Sequence, residues 1–240
     1  MIDIHTHILP HVDDGAEDLQ DAILMAELSV ESGVQAVFAT PHSNLPDDYP
    51  SSSVLEMQRQ LSKLKYGIRE KGIPLVILSG MEIFVTEDIV EKIRNRKVIS
   101  MNGSNRYLVE FGFHRRSAWI TEQLEQMLRN EYSPIIAHPE RYVCVQRRPE
   151  LVLDWLDMGC QVQINKGSFF GNFGHTSMET AHQLLNHRAV TYIASDAHTP
   201  YQRTTYMKDI YEFLRSEYSK KLARTLLWEN PYRYLIAKTD

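Results

Sequence analysis

The chain has 240 residues, 43% hydrophobic and 24% charged, a length and balance that suit one sizeable α/β domain, residues 1–240, with a substantial core. A net charge of −5 argues against broad nucleic-acid binding, and no apolar run reaches the roughly 20 residues a membrane span needs. No basic n-region precedes an apolar h-region, so no signal peptide is expected, and two cysteines, Cys144 and Cys160, make no disulfide framework, which points to a reducing cytoplasm.

In chain order, apolar runs alternate with helical patterns. Expected strands are 1–4, 36–40, 75–79, 107–110, 135–137, 161–164 and 191–194. The first expected helix, 17–32, carries Leu19, Ile23, Ala26 and Val30 at helical spacing, one apolar face. Glu17 and Asp18 suit its N-terminal dipole and Gly33 its C-terminal end. Further helices fit 53–71, 86–94, 118–129, 149–158 (with Pro149 in the first turn), 177–186 and two pieces after Tyr201. Strand–helix alternation implies parallel strands with right-handed crossovers, and seven units favour closure into a barrel over an open sheet, although periodicity alone does not decide it. The longest expected loop, 43–53, either overhangs a site or is a solvated connection.

The opening stretch MIDIHTHILPHVDDG organises the chemistry. Residues two apart on an extended strand share a side, so His5 and His7 form half of a metal site. Asp14 follows in a loop that Gly15 can turn. Later strands run out into His42, Glu82, Glu110, His138 and the pair Asp196 and His198. One histidine at a strand end is ordinarily a packed rim residue. Nine metal-type donors at the ends of six strands, on the face where α/β barrels carry their active sites, are not explained by packing. Five imidazoles and four carboxylates suit Mn²⁺, Fe or Zn²⁺. Such a set can hold three divalent ions if one carboxylate bridges, leaving a net positive centre that attracts phosphate and ionises a bound water.

The pieces IDIHTHILPHVDDGA, ATPH, GMEI, LVEF, IAHPERY, MGCQVQIN and ASDAH, spread from residue 2 to residue 198, resemble the polymerase and histidinol phosphatase (PHP) family. More closely they are similar to the metal-dependent protein-tyrosine phosphatases of bacterial capsule and exopolysaccharide loci. The resemblance implies a distorted seven-stranded TIM-like (β/α)7 barrel with three metal ions, commonly manganese. It implies one ion on His5, His7, Glu82 and Asp196, a second on Glu82, Glu110 and His138 with Glu82 bridging, and a third on Asp14, His42 and His198. It also implies two phosphate-gripping arginines, Arg141 of HPERY and Arg203, and a tyrosine-phosphorylated substrate, the tail of a bacterial tyrosine kinase. Arginine suits that grip because its planar fork meets phosphate oxygens bidentately. Two positions depart from the family pattern. His11 stands where glycine is usual, to be read as a rim residue or an auxiliary ligand. Lys166 replaces a smaller residue and either adds phosphate affinity or faces solvent. Phe111, Phe113, Tyr142, Phe169, Phe170 and Tyr201 follow strand ends; some suit a wall for a phosphotyrosine ring, though each singly fits ordinary packing.

A thiol-based tyrosine phosphatase is excluded, since Glu150 and Lys166, not arginine, stand six residues after Cys144 and Cys160. Gly-rich nucleotide loops are absent too. The remaining rivals are a small-molecule PHP phosphatase acting on histidinol phosphate, a nuclease-like member, which the acidic balance disfavours, and a metal-binding module without turnover.

Overall fold

The computed structural model describes residues 1–45 and 53–237. Most of the 43–53 loop therefore lies outside the described residues. The strands are β1 (Ile2–Thr6), β2 (Ala36–Ala39), β3 (His42–Ser43), β4 (Val76–Ser79), β5 (Glu82–Phe84), β6 (Arg106–Glu110), β7 (Ser133–Ala137), β8 (Gln161–Asn165) and β9 (Tyr192–Ala194). All pair in parallel, in sheets ordered β1-β2-β4 and β3-β5-β6-β7-β8-β9.

Among the described residues nine strands thus stand where seven were expected. The expected strands 36–40 and 75–79 appear as β2 and β4, and beyond Thr40-Pro41 and Gly80-Met81 the chain resumes as two further short strands, β3 and β5, in the other sheet. Proline has no N–H for the ladder. At Gly80 a Cβ would come within 2.7 Å of Met101 Sδ, so the backbone passes where no side chain fits. The two sheets meet again where Thr6 bridges Ala197, with His7 N–H donating to the Ala197 carbonyl at 2.8 Å and Asp196 N–H donating to the His5 carbonyl at 2.9 Å. Those bonds place the first and last ligand-bearing segments side by side.

Consecutive strand residues enter different apolar clusters, as the pleat requires. Phe38, Leu108, Ile135 and Tyr192 join Ile2 and Ile4 in one, while Val37, Val109, Ile136 and Ile193 pack in the larger one with the helices. Buried on both faces, the strands read as continuous apolar runs rather than alternating ones.

The helices are α1 (Leu19–Glu31), α2 (Val54–Glu70), α3 (Ile89–Arg94), α4 (Ser117–Arg129), α5 (Val143–Arg147), α6 (Leu151–Asp157), α7 (Lys166–Phe169), α8 (His175–Asn186), α9 (Lys208–Glu217) and α10 (Lys220–Arg224). Asp18 caps α1 by accepting from the Gln20 and Asp21 N–H groups, and Ser53 caps α2 through Glu56 N–H. The buried face of α1 is centred on Ala22, Met25, Ala26 and Ser29. Leu19 sits at its exposed edge, beside Gly67 of α2. Pro149 lies just before α6, not within its first turn, and its carbonyl accepts from Val152 N–H.

Candidate metal centre

Seven of the nine ligand candidates sit at, or in the loop just after, the C-terminal end of a strand, while His42 and Glu82 open β3 and β5, three residues beyond the ends of β2 and β4. Among the described residues four overlapping groups can each hold a cation, and together they contain all nine predicted donors: His7, Asp14, His42 and His198; His5, His7 and Asp196; His5, Glu82 and His138; and His42, Glu82 and Glu110.

Glu82 is the hub. Its Oε2 lies 3.2 Å from His5 Nε2, 3.3 Å from His7 Nε2 and 3.0 Å from His42 Nδ1, and its Oε1 lies 2.8 Å from His138 Nε2. Asp196 Oδ1 stands 3.5 Å from both His5 Nε2 and His7 Nε2, and Asp14 Oδ1 stands 3.6 Å from His42 Nε2 and 3.4 Å from His198 Nε2. The distances bring together the expected set of His5, His7, Glu82 and Asp196. They add His7 to the set of Asp14, His42 and His198. The expected trio of Glu82, Glu110 and His138 also stands together, with His138 Nε2 2.8 Å from Glu82 Oε1 and 3.9 Å from Glu110 Oε1, while Glu110 lies equally close, 3.9 Å, to His42 Nδ1.

The donors fit cations on their own chemistry. Glu82 Oε2 and His42 Nδ1 are buried and, despite their proximity, make no aligned hydrogen bond. Burial pushes Glu110 up to about 8, with the charge of Glu82 adding to the effect, and burial pulls His138 down to about 4. A carboxylate that resists ionisation among other carboxylates, beside an imidazole that stays neutral, is an environment a divalent ion relieves.

Three imidazoles are aimed by a bond at their far nitrogen. His5 Nδ1 contacts Gln163 Oε1 at 3.0 Å, His7 Nδ1 contacts Asp13 Oδ2 at 2.7 Å, and His198 Nδ1 contacts the Asp196 carbonyl at 3.1 Å. These acceptors fix the tautomer that turns Nε2 toward the cluster. Asp13, next to the predicted Asp14, also accepts from the backbone N–H groups of His42 and Gly15. It ties the first loop to the second strand segment, a role its sequence position did not reveal. His138 and Asp196 both adopt left-handed backbone, φ 34° and 50°, which ordinary residues keep only where their surroundings impose it.

Arg141 and Arg203 converge on the outer oxygen of Asp196: Arg203 Nη2 lies 2.6 Å and Arg141 Nη1 3.7 Å from Oδ2. Asn165 Nδ2 donates to the same oxygen at 2.6 Å, and Asn165 Oδ1 accepts from Gln163 Nε2 at 2.8 Å. Both predicted arginines therefore border the donor cluster.

The family model for capsular polysaccharide synthesis, CpsB/CapC, matches residues 1–236. The chain belongs to this family. The tyrosine-protein phosphatase YwqE of Bacillus subtilis is 33% identical over 92% of this chain and 87% of its own length. A chain from the crystal structures of YwqE and of CpsB from Streptococcus pneumoniae, described as unique metal-dependent tyrosine phosphatases, superposes with a TM-score of 0.91 at 30% identity, covering 100% of this chain and 96% of that one. The zinc-complexed histidinol phosphate phosphatase of Lactococcus lactis shares the fold at a TM-score of 0.60 and 13% identity, over 92% and 93% of the two chains.

In this CpsB/CapC chain the two departures resolve physically. His11 is exposed, outside every donor group, with φ 57°, a conformation glycine would adopt freely. Lys166 is buried, and its Nζ donates to the Tyr206 carbonyl and reaches Asp209 Oδ2 at 3.2 Å. It clamps the approach to α9 and neither faces solvent nor stands free for phosphate. Phe111, Tyr142 and Phe169 are core residues, so packing accounts for them. The Tyr142 hydroxyl donates to the Ala137 carbonyl and accepts from Phe111 N–H, stitching the ends of β6 and β7. Phe170 and Tyr201 are exposed, and Phe113 stacks on Arg141.

A Cβ at Gly15 would stand 2.0 Å from the His7 carbonyl oxygen and 2.5 Å from His7 Cβ. Gly15→Ala should displace His7 and weaken metal binding roughly tenfold, as loss of an orienting contact does, read by elemental analysis after dialysis; undiminished metal would show that the loop yields instead. Glu140 is fully buried, with Oε1 accepting from Asn165 N–H and Ser168 Oγ and Oε2 unpartnered. Burial pushes it up to about 7. Because the folded value lies above the ordinary one, its contribution to stability is full below about pH 4.5 and is lost as pH rises through 7. Between pH 5 and 8 the wild type should lose about 2–3 kcal/mol relative to Glu140→Gln; parallel urea-denaturation profiles would refute the assignment.

Proposed function

We propose that this chain is a metal-dependent phosphotyrosine-protein phosphatase in which His5, His7, Asp14, His42, Glu82, Glu110, His138, Asp196 and His198 hold three divalent cations, Mn²⁺ in preference to Fe or Zn²⁺, while Arg141 and Arg203 grip the substrate phosphate. The observation that carries this is the nine-donor cluster with two guanidinium groups converging on its Asp196 edge. On this reading the seven strand-bearing segments work as one distorted barrel in a single catalytic domain, with chemistry at one mouth.

Bound cations supply Lewis acidity and lower the pKa of water to near neutrality. The chain's residues do the rest. Arg141 and Arg203 neutralise and orient the phosphoryl oxygens, Asp13 and Gln163 keep His7 and His5 aimed, and Asn165 holds Asp196 in register. No cysteine takes part. Cys160 is buried, which pushes its thiol up to about 12, the reverse of a nucleophile's environment.

Every imidazole of the cluster is a candidate ligand, leaving none in it to protonate a departing oxygen. A tyrosine phenolate, with parent pKa about 10, leaves with less acid assistance than an alkoxide. The substrate we assign is a phosphotyrosine in an extended protein tail, that of a bacterial tyrosine kinase governing polysaccharide export, in the cytoplasm. Among the described residues no helix is long and apolar enough to cross a membrane.

The test is kcat/KM on matched phosphotyrosine and phosphoserine peptides and on histidinol phosphate, each with and without chelator. Chelation should abolish activity, Mn²⁺ should restore it best, and phosphotyrosine should be strongly preferred. Full activity in chelator removes the metal mechanism, and preference for histidinol phosphate moves the assignment to a small-molecule phosphatase. Arg141→Ala should retain its metal and lose about 2–4 kcal/mol of transition-state stabilisation, as loss of one preorganised donor does; loss of metal or of folding in that variant would make Arg141 structural.

A further inference from the structure

A segment outside every matched motif lies against both Arg141 and Arg203. The sequence Gly171-Asn172-Phe173-Gly174 links α7 to α8, with both glycines in left-handed backbone, φ 79° and 89°. Asn172 N–H donates to the Gly167 carbonyl and Gly174 N–H to the Gly171 carbonyl, each at 3.0 Å. The Phe173 ring rests on α7 so closely that a Cβ at Gly167 would come within 3.0 Å of its Cε2. Two arginines also approach that ring. The Arg141 guanidinium carbon lies 4.5 Å from its centroid and the Arg203 carbon 5.4 Å. Phe113 approaches Arg141 as well, at 4.4 Å, so Arg141 is flanked by two phenyl rings and Phe173 is shared by both arginines.

We propose that Phe173 is a positioning residue of the phosphate site: one aromatic ring that holds two mutually repelling guanidinium groups at a fixed separation, so that the N–H edges they now turn to Asp196 Oδ2 can pass together to an incoming phosphate. The inference rests on the reading of Arg141 and Arg203 as the phosphate grip. Its physical basis is cation–π attraction, which operates within about 6 Å of a ring centroid and strengthens as the cation loses water. Here the two arginine side chains retain only 21% and 32% exposure. A guanidinium in a planar stack keeps its in-plane donors free, the geometry that bidentate contact with phosphate oxygens needs. Without the ring, both side chains remain drawn to Asp196 Oδ2 but nothing sets their separation. The support is continuous with the metal cluster: Asp196 is held by Asn165, which precedes α7, and α7 seats the ring.

Phe173→Leu and Phe173→Tyr, each loaded with Mn²⁺, are compared with wild type by elemental analysis, thermal unfolding, steady-state hydrolysis of an aryl phosphate and calorimetric binding of inorganic phosphate. Phe173→Leu should raise KM and weaken phosphate binding roughly fivefold to thirtyfold. Its kcat should fall by less than about threefold, with metal content and Tm unchanged. Phe173→Tyr, which keeps the ring face, should behave as wild type. The Phe173→Leu effect should shrink when Arg141 is already alanine, as coupled residues require. Wild-type phosphate binding in Phe173→Leu, equal loss in Phe173→Tyr, or an undiminished effect in the Arg141→Ala background would overturn the proposal. A wild type that hydrolyses no aryl phosphate, yet binds phosphate more tightly than Phe173→Leu does, would refute the phosphatase reading and leave this inference standing. A wild type that binds no phosphate would refute both.

Discussion

The structure is built around a buried electrostatic problem. One carboxylate, Glu82, lies within 3.3 Å of four imidazoles, and Glu110 and Asp196 stand close by, all of them nearly inaccessible to water. Burying so many ionisable groups without cations between them is costly, because the interior replaces no hydration shell for unpaired charge. Parallel strands make the crowding possible by delivering every C-terminal end to one mouth. Beyond the strands, orienting bonds do the work: Asp13 on His7, Gln163 on His5 and Asn165 on Asp196. Those three residues constrain the cluster as firmly as the donors themselves, which is why a side chain at Gly15, several bonds away from any donor atom, would reach it.

Much of this was legible in the sequence. Histidine and acid types at successive strand ends announce themselves against an apolar background, and the chain order of strands and helices follows from periodicity. The extra strands β3 and β5, which resume in the other sheet beyond Pro41 and Gly80, were not legible, because a change of sheet turns on tertiary packing such as the sulfur of Met101 facing Gly80. Nor were the left-handed conformations of His138 and Asp196: both residue types tolerate that region better than most, but nothing in the local sequence marks these two positions for it. Asp13 was visible only as a neighbour of Asp14, and its signal was its position beside a glycine that folds the loop back. Lys166 was misjudged in both readings because its partners, Tyr206 and Asp209, come from a distant stretch of chain. Phe173 carries no sequence signal at all, since aromatic residues are abundant and its meaning comes from two arginines far from it in the chain.

Asp196 joins the two functions the site must perform. Its Oδ1 faces the imidazoles of His5 and His7, while its Oδ2 faces Asn165, Arg203 and Arg141. One carboxylate is thus shared between the cation side and the anion-gripping side. Burial would raise its pKa, but the positive surroundings, His5 first and then Arg203, hold it well below the usual carboxylate range, so it stays charged throughout any working pH. On the phosphatase reading, an arriving phosphate competes with Oδ2 for the same guanidinium edges. The arginines therefore exchange one anion for another, without bringing an unpaired positive charge out of water. On that reading the grip is oriented in advance, because both guanidinium groups already converge on one point, Asp196 Oδ2. It follows that removing the negative charge of Asp196 harms both halves of the site together, whereas removing either arginine harms one, and that asymmetry in consequence is what distinguishes a shared hinge of the chemistry from a residue that merely borders it.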